Sequence, residues 1–474
     1  MTQEQEKQVL QGIYDRLFDA ITYQPSGGVN PFTEAETFIH FSKNAAVDVR
    51  AFTNPRTPSN PLGDLKASEE FSRMVDVVSP LALEWENSGD KLSKNYSEIV
   101  NSANTATKPD KSQEEMYKKA YDYLRPEKTE KNPFTGKKVT ARTDSQDYID
   151  YETNMDDYVS AIAAYRSAYN LYLDDLESVD REISSKADRA WQTKAPMLEN
   201  EIKKTFRKLS AGNAKYVKQA LEILRTTVND GIRTAITTAQ DSVGEDRQFS
   251  SSLGIDEKWL FSYPSPANWT DEKALNFTEF KLSGGNTKIR SKSTEHKFSV
   301  DTNLNFGLWR VKASSGGDFK NSNSSTDKDS LEIRAKIAKV DIKRPWFSES
   351  IFRLGDWYTN MKNKDEISNG QVNSSNKDNY IPMYPVAFIV ARDIIIKADF
   401  SHEDEEHITQ STSSSASVGY GPFSIGGNYG YGKTEDSFNS DYQNGEIRVP
   451  GMQIIGWVSR VIPASPKMNP PKEQ

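Results

Sequence analysis

Apolar and aromatic residues recur every three or four positions between Tyr148 and Ile183, and this spacing predicts a long helix. The residues between them are mostly polar or charged, so the apolar positions form one heptad seam. The seam consists of Tyr148, Tyr151, Met155, Tyr158, Ile162, Tyr165, Tyr169, Tyr172, Leu176, Val179 and Ile183. The stretch lacks glycine and proline, and Thr143 with Gln146 has the spacing of a capping box at its start. We therefore expect an uninterrupted helix through residue 193.

A helix of about 48 residues is roughly 70 Å long, too long to be buried inside one compact domain. It needs a partner helix, in this chain or in a second copy. Residues 197–211 and 213–243 are also amphipathic, and together they are about as long as the first helix. The pattern therefore predicts a long, coiled-coil-like antiparallel helical hairpin over residues 143–244, with the seam as an assembly surface.

The N-terminal region, residues 1–142, has helical periodicity with a polar connector. Residues 3–23, 65–78 and 80–100 read as amphipathic helices. Residues 101–142 are rich in lysine, threonine and proline, with one short helix near 114–124. This region is expected to pack as a helical N-terminal unit.

The pattern changes near Gly244, after which strand alternation replaces helical periodicity. Residues 298–308 and 331–342 are expected to be strands on either side of a polar tip, and 385–396 and 418–431 repeat this plan around residues 401–417. Residues 452–462 read as a last buried strand. The predicted fold class is therefore multidomain α+β, with a sandwich-like antiparallel β domain at 245–462 that contains two long Ser/Thr/Asn/Gly-rich hairpins. A proline-rich tail follows at 463–474.

Charge and composition exclude several classes of function. The net charge is −8, which opposes binding to nucleic acid, and the absence of cysteine excludes disulfides and thiolate chemistry. The N-terminus has no secretory signal pattern, and no apolar stretch is long enough to span a membrane. We expect synthesis in the cytoplasm, with a non-Sec route or lysis as the means of any release.

Motifs for catalysis, cofactors and metals are weak. Residues 427–434 match the phosphate-loop spacing GxxxxGK[ST], but no apolar helix follows them. His402 and His407 flank four acidic residues in a segment expected to be a solvated loop, and Ser424 lies outside a GxSxG turn. His40 and His296 have no catalytic partners that the sequence identifies. We expect no catalytic residues, no cofactor and no metal.

Two functions fit this organisation. The first is a self-assembling scaffold or binding protein, with a helical stalk for assembly and the β domain for recognition of a protein partner. The second is a membrane-acting, pore-forming-toxin-like oligomer that inserts amphipathic β-hairpins into lipid, because residues 298–308 have the length and alternation of a membrane-spanning strand. The candidate membrane or partner face comprises Phe298, Val300, Leu304, Phe306, Leu308, Tyr420, Phe423, Ile425, Tyr429 and Tyr431.

Overall fold

The protein is described by a computed structural model. It describes residues 1–466 except 26, 86–88, 106–110, 132–137, 178–179, 227–231, 252–256, 272, 274, 292, 295–296, 299–306, 314–317, 362–366, 374–378, 413–415 and 433–435. The described chain is mixed α+β, with most of its strands in the C-terminal half.

Helices dominate the first half of the chain. They are α1 (Gln3–Thr22), α2 (Leu65–Val75), α3 (Leu92–Ser102), α4 (Lys111–Leu124), α5 (Gln146–Leu176), α6 (Arg181–Leu209), α7 (Ala214–Thr226), α8 (Ile232–Ser242) and, in the second half, α9 (His402–Thr412).

Strands occur throughout and become dense after residue 245. They are β1 (Thr37–Ser42), β2 (Glu84–Trp85), β3 (Ala103–Thr105), β4 (Glu127–Lys131), β5 (Lys138–Arg142), β6 (Phe249–Ser250), β7 (Lys258–Trp259), β8 (Tyr263–Ser265), β9 (Thr278–Ser283), β10 (Trp309–Ala313), β11 (Lys320–Ser322), β12 (Glu332–Lys343), β13 (Trp357–Thr359), β14 (Met383–Lys397), β15 (Ala416–Tyr420), β16 (Phe423–Asn428), β17 (Ser437–Asn439), β18 (Asp441–Gln443), β19 (Glu446–Val449) and β20 (Gln453–Val461).

A nine-stranded sheet is built around the apolar strand β14. One edge of β14 pairs antiparallel with β12, and the other pairs with β19 and β20. On its far side β12 takes β8 and β9, while β20 pairs with β1, which runs parallel to β2. The N-terminal strand β1 therefore completes a sheet that is formed mainly by the C-terminal half. The predicted strands at 331–342, 385–396 and 452–462 correspond to β12, β14 and β20.

A second, antiparallel sheet has the order β11-β10-β15-β16-β17. The predicted single strand over 418–431 is wrong, because the chain turns between β15 and β16. Gly421 takes a φ of +54° at this turn, a value that side chains with a Cβ rarely adopt. In the predicted strand 298–308, residues 299–306 lie outside the described residues, and Phe298 and Leu308 lie outside strands.

Helix α1 lies in the core between the two sheets. Leu17 and Ile21 line a small cavity with Ile337 and Ile389 of the large sheet, whereas Ile13 approaches Gly421 of the second sheet. The helix was predicted from its apolar face, yet Asp15, Arg16 and Asp19 on its polar face are buried as well. Their charges therefore require partners inside the protein.

The uninterrupted helix through residue 193 is wrong. Helix α5 ends at Leu176 and α6 begins at Arg181, with Asp180 as its N-cap: the Asp180 carboxylate accepts a hydrogen bond from the backbone N–H of Glu182 (2.8 Å). An aspartate at an N-cap satisfies otherwise unpaired amides and starts a new helix, which accounts for the break. Ile183 therefore belongs to α6, and Val179 lies outside the described residues. The N-cap of α5 is Ser145 rather than Thr143.

The partner of α5 was also misassigned. Helices α5 and α6 run antiparallel, since Tyr172 stacks on Trp191 and Tyr158 lies against Phe206. The partner is thus residues 181–209 rather than 197–243, and Pro196 lies inside α6 instead of at a turn. None of the described helices combines the length and the apolar character needed to cross a membrane.

The polar segment 401–417 was expected to be a solvated loop, but its first part forms α9. Asp404 on this helix is buried and accepts hydrogen bonds from the Trp309 indole N–H (2.5 Å) and the Ser324 hydroxyl (3.0 Å). The acidic run therefore anchors α9 against the second sheet. In the predicted tail, the backbone of Ser465 pairs with that of Ser368, and residues 467–474 lie outside the described residues.

Candidate functional site

Helix α5 is clamped to the body of the protein by two clusters of charged side chains. In the first, Glu152 and Asp156 of α5 face Lys343 of β12, whose ammonium lies 3.3 Å from the Glu152 carboxylate and 4.0 Å from Asp156. Asp156 also hydrogen-bonds to the Asp341 carboxylate and accepts a bond from Ser265 Oγ (2.9 Å). These groups line a cavity of about 400 Å³ between α5 and the sheet.

The two aspartates in this cluster titrate in opposite directions. Burial, followed by the negative charge of Asp341, raises the pKa of Asp156 to about 8. The pKa of Asp341 is also pushed upward by burial, but Lys339 and Lys343 outweigh this and lower it. At neutral pH the pair of carboxyl groups therefore holds one proton between them, and this proton is bound mainly to Asp156. The physical reason is that two adjacent carboxylates in a buried site cannot both ionise cheaply.

The second cluster joins α5 to α1. Asp174 of α5 accepts hydrogen bonds from Arg16 of α1 (2.8 Å) and from Arg290 (2.6 Å). One turn or two earlier on α5, Arg166 (2.5 Å) and Asn170 (2.9 Å) donate to Asp19 of α1. Arg16 and Asp19 of α1 are thus paired with α5, as burial requires. The buried Asp15 instead accepts hydrogen bonds from the backbone N–H groups of residues 290 and 291 and from the Thr294 hydroxyl.

Most of the predicted seam packs within the chain, whereas Leu176 and Ile183 are exposed by 36% and 44%. Tyr148 and Tyr151 lie against the core between α4 and α7, and the fully buried Tyr158 and Ile162 share a cluster with Leu209 of α6. Met155 packs at the edge of the same cluster. Tyr165, Tyr169 and Tyr172 form an aromatic ladder with Trp191, ending in the Tyr172–Trp191 stack with ring centroids 5.0 Å apart. These side chains are covered by α6 and its neighbours.

The candidate membrane or partner face is divided between core and surface. Phe298, Leu308, Tyr420, Phe423 and Ile425 are buried in the core that both sheets share with α1. Tyr429 and Tyr431 are half-buried, and the Tyr431 hydroxyl accepts a hydrogen bond from the Trp457 indole (2.8 Å). Val300, Leu304 and Phe306 lie outside the described residues.

Two backbone amides in the phosphate-loop pattern are already paired within the protein. The backbone N–H groups of Gly430 and Tyr431 both donate to the carbonyl of Ala46 (2.9 and 3.2 Å). Phosphate binding by such a loop depends on amides that point at the ligand, and these are already paired. Lys433 and Thr434 lie outside the described residues.

A serine–histidine pair is present that the sequence did not reveal. His40 Nε2 lies 2.8 Å from Ser459 Oγ, and its Nδ1 lies 2.6 Å from the carbonyl oxygen of Ala82. Both side chains are fully buried, and burial lowers the pKa of His40 to about 4. A substrate has no access to this serine, so the pair holds β1 against β20. His296 lies outside the described residues.

The remaining histidines are separate from each other. His407 Nε2 lies 3.1 Å from Ser322 Oγ, and its ring packs on Trp309, whereas His402 is exposed at the start of α9. Among the described residues, no group of three or more histidine, aspartate or glutamate side chains is arranged to hold a metal.

An open groove of about 890 Å³ lies between α3 and the segment 258–260. Sequence reasoning missed both this groove and the charge clusters on α5, because their members are far apart in the chain. The only local signal is the polar stripe Lys94, Ser97, Glu98 and Asn101 on α3, which repeats at helical spacing.

Comparison of the chain with protein-family models, with curated proteins and with solved structures found no match.

Proposed function

We propose that the protein is a non-enzymatic, self-associating scaffold or binding protein. In this proposal α5 and α6 form a coiled-coil-like stalk for assembly, and the sandwich-like β domain recognises the partner. The assembly surface lies on α6, because most of the predicted seam on α5 is already covered within the chain.

One observation supports this proposal above the others. Ile183, Ala190 and Met197 of α6 are spaced seven residues apart and all three are exposed, Ile183 by 44% and Met197 by 68%. Side chains at this spacing lie on one face of a helix and are typical of helix–helix association. Trp191 and Phe206 occupy a different face, which packs on α5. The exposed stripe is thus separate from the face of α6 that packs on α5.

The partner that matches this stripe is a second copy of the chain. The stripe is symmetric about Ala190, so two antiparallel copies of α6 would place Ile183 of one copy against Met197 of the other. The small side chain at the centre lets the two helices approach closely. Such a contact uses the same patch on both copies, as two-fold dimers do.

Sedimentation velocity at increasing protein concentration tests the proposal. We expect wild type to form dimers and Met197→Glu to shift the equilibrium toward monomer, because a charge would be buried in the contact. Ser185→Glu is the matched control, since Ser185 is exposed on the opposite face of α6. A wild type that stays monomeric at every concentration would refute self-association. An equal effect of both substitutions would exclude the stripe.

The membrane-acting alternative requires a larger rearrangement. Tyr420, Phe423 and Ile425 are buried against α1, so lipid contact by this face would require the second sheet to separate from the helix. Dye release from vesicles of phosphatidylcholine and phosphatidylglycerol distinguishes the two functions. The scaffold proposal expects intact vesicles, whereas leakage would favour the alternative.

A further inference from the structure

Asparagine followed by glycine occurs twice in the chain, at Asn369 and at Asn444. Glycine has no side chain to shield its backbone nitrogen, so this nitrogen can attack the side-chain amide of the preceding asparagine. The reaction converts asparagine to aspartate or isoaspartate without an enzyme. In a folded protein its rate depends on the contacts of the two reacting groups, and these contacts differ between the two sites.

Asn444 and Gly445 form the tight turn between β18 and β19. Both have positive φ values, +51° and +74°, and Gln443 pairs with Glu446 across the turn, as in a two-residue hairpin of type I′. The Asn444 side chain is exposed and makes no hydrogen bond with any described residue. The Gly445 amide likewise has no acceptor among the described residues. Neither reacting group is therefore restrained by a hydrogen bond in this part of the structure.

Both reacting groups at Asn369 are held by hydrogen bonds. Asn369 Oδ1 accepts a bond from the backbone N–H of Gln371 (2.9 Å), and the backbone N–H of Gly370 donates to Ser368 Oγ (3.1 Å). Ser368 is fully buried, so this acceptor is fixed in place. Attack at Asn369 must first break both hydrogen bonds, and each of them opposes ring closure.

We propose that Asn444 is a site of spontaneous deamidation in the folded protein, whereas Asn369 is protected. The Gly445 nitrogen loses its proton to solvent and bonds to Asn444 Cγ, while the Cγ–Nδ2 bond breaks and Nδ2 takes up a proton and leaves as ammonia. Water then opens the cyclic imide at either carbonyl, which gives aspartate or isoaspartate. Ring closure requires Asn444 to rotate out of its left-handed conformation, and the exposed side chain breaks no hydrogen bond of its own when it does so.

Modification of this turn alters the edge of the large sheet. Isoaspartate lengthens the main chain of the turn by one carbon, and a two-residue turn sets the register of the strands that it joins. The Gly445 carbonyl also accepts a hydrogen bond from the Ala398 N–H (3.1 Å), and the Tyr442 hydroxyl donates to Glu405 of α9 (3.0 Å). Modification should therefore loosen the hairpin and its contact with α9. The proposal does not depend on the stripe of α6.

Peptide mapping by mass spectrometry, after incubation of the full-length protein at mildly alkaline pH, tests this proposal. We expect Asn444 to lose its amide about tenfold faster than Asn369, because each hydrogen bond that must break slows ring closure severalfold. In protein unfolded by urea the two rates should converge, since the dipeptide is the same. Equal rates in the folded protein, or a faster rate at Asn369, would overturn the proposal. A difference that persists in urea would show that local sequence selects the site, and would overturn the structural argument.

Substitution of each asparagine by glutamine separates the two sites. Asn444→Gln should remove most of the ammonia released by the folded protein, because glutamine must close a six-membered ring and reacts far more slowly. Asn369→Gln is the matched control and should leave the release nearly unchanged. After incubation, the amides of β18 and β19 should exchange hydrogen faster in wild type than in Asn444→Gln. Unchanged exchange in wild type that is fully modified at Asn444 would overturn the predicted effect on the hairpin.

Discussion

The proton shared by Asp156 and Asp341 predicts that the protein becomes less stable as pH rises. Asp156 has a pKa of about 8 in the folded chain, against an ordinary value of 3.8, because partial burial and then the charge of Asp341 disfavour its ionised form. The folded state therefore holds this proton more tightly than the unfolded state does. The stabilisation is complete below the ordinary pKa and is lost as pH rises through about 8.

The size of the effect follows from linkage. Between the two pKa values, the free energy of unfolding falls by about 1.4 kcal/mol for each pH unit. Ionisation of Asp156 should thus lower the free energy of unfolding by about 3 kcal/mol between pH 5 and 7, and by about 1 kcal/mol more between pH 7 and 9. The lowered pKa of Asp341 acts in the opposite direction and at a lower pH, since its contribution is lost only as pH falls below its ordinary range. The pKa of Lys343 is well above its ordinary value, because the attraction of Asp156 and Glu152 outweighs the effect of burial, so this lysine stays charged throughout.

Urea denaturation of wild type and Asp156→Asn from pH 5 to 9 measures this contribution. Asparagine has the shape of the protonated side chain, can still accept from Ser265 and can donate to Asp341, but cannot ionise. Relative to wild type, the variant should therefore gain about 1 kcal/mol of stability between pH 7 and 9. Asp150→Asn on the exposed face of α5 is the control and should leave the wild-type pH dependence unchanged. A difference between wild type and Asp156→Asn that is constant from pH 5 to 9 would refute the shared proton.

Three further predictions concern other buried contacts. Burial raises the pKa of Glu6 to about 7, so stability from this group is lost as pH rises through 7, and Glu6→Gln should flatten the fall in unfolding free energy between pH 6 and 8. Asp174→Ala should lower the free energy of unfolding, measured by urea denaturation, by about 3–5 kcal/mol, because it leaves Arg16 charged and buried without its carboxylate partner. A decrease below about 1 kcal/mol would contradict a stabilising role for this ion pair. Gly284→Ala should lower the melting temperature in calorimetry, since the added Cβ would collide with the carbonyl oxygen of Lys328, and an unchanged melting temperature would show that this loop yields.

Local sequence patterns predicted the elements that depend on their own residues rather than on contacts with distant ones. The apolar side chains of β12, β14 and β20 and the periodicity of α1 follow from the burial of these elements, so the sequence predicted them. The break before α6 was missed because the seam continues through it: Leu176 and Ile183 keep the heptad spacing although they belong to different helices. Asp180 carries the deciding signal, an N-cap that apolar periodicity does not register.

The functional features were less predictable because they depend on pairs of distant residues. Asp156 and Asp341 are both ordinary acidic residues in the sequence, and only the packing of α5 on β12 makes their pKa values diverge. The groove is similar, since Lys94 and Trp259 come from separate parts of the chain.

The two faces of α5 decide where association can occur. One face is occupied by α6 and its neighbours, and the other is clamped through Asp156 to the sheet and through Asp174 to α1. Helix α6 packs mainly against α5, which leaves the stripe with Met197 open. Asp156 and Met197 therefore lie in different interfaces, and the free-energy changes caused by their substitutions should be additive. If Asp156→Asn also changed the sedimentation of the folded protein at pH 7, the clamp on α5 and the stripe on α6 would be coupled. Association would then depend on release of the helix pair rather than on a surface already exposed.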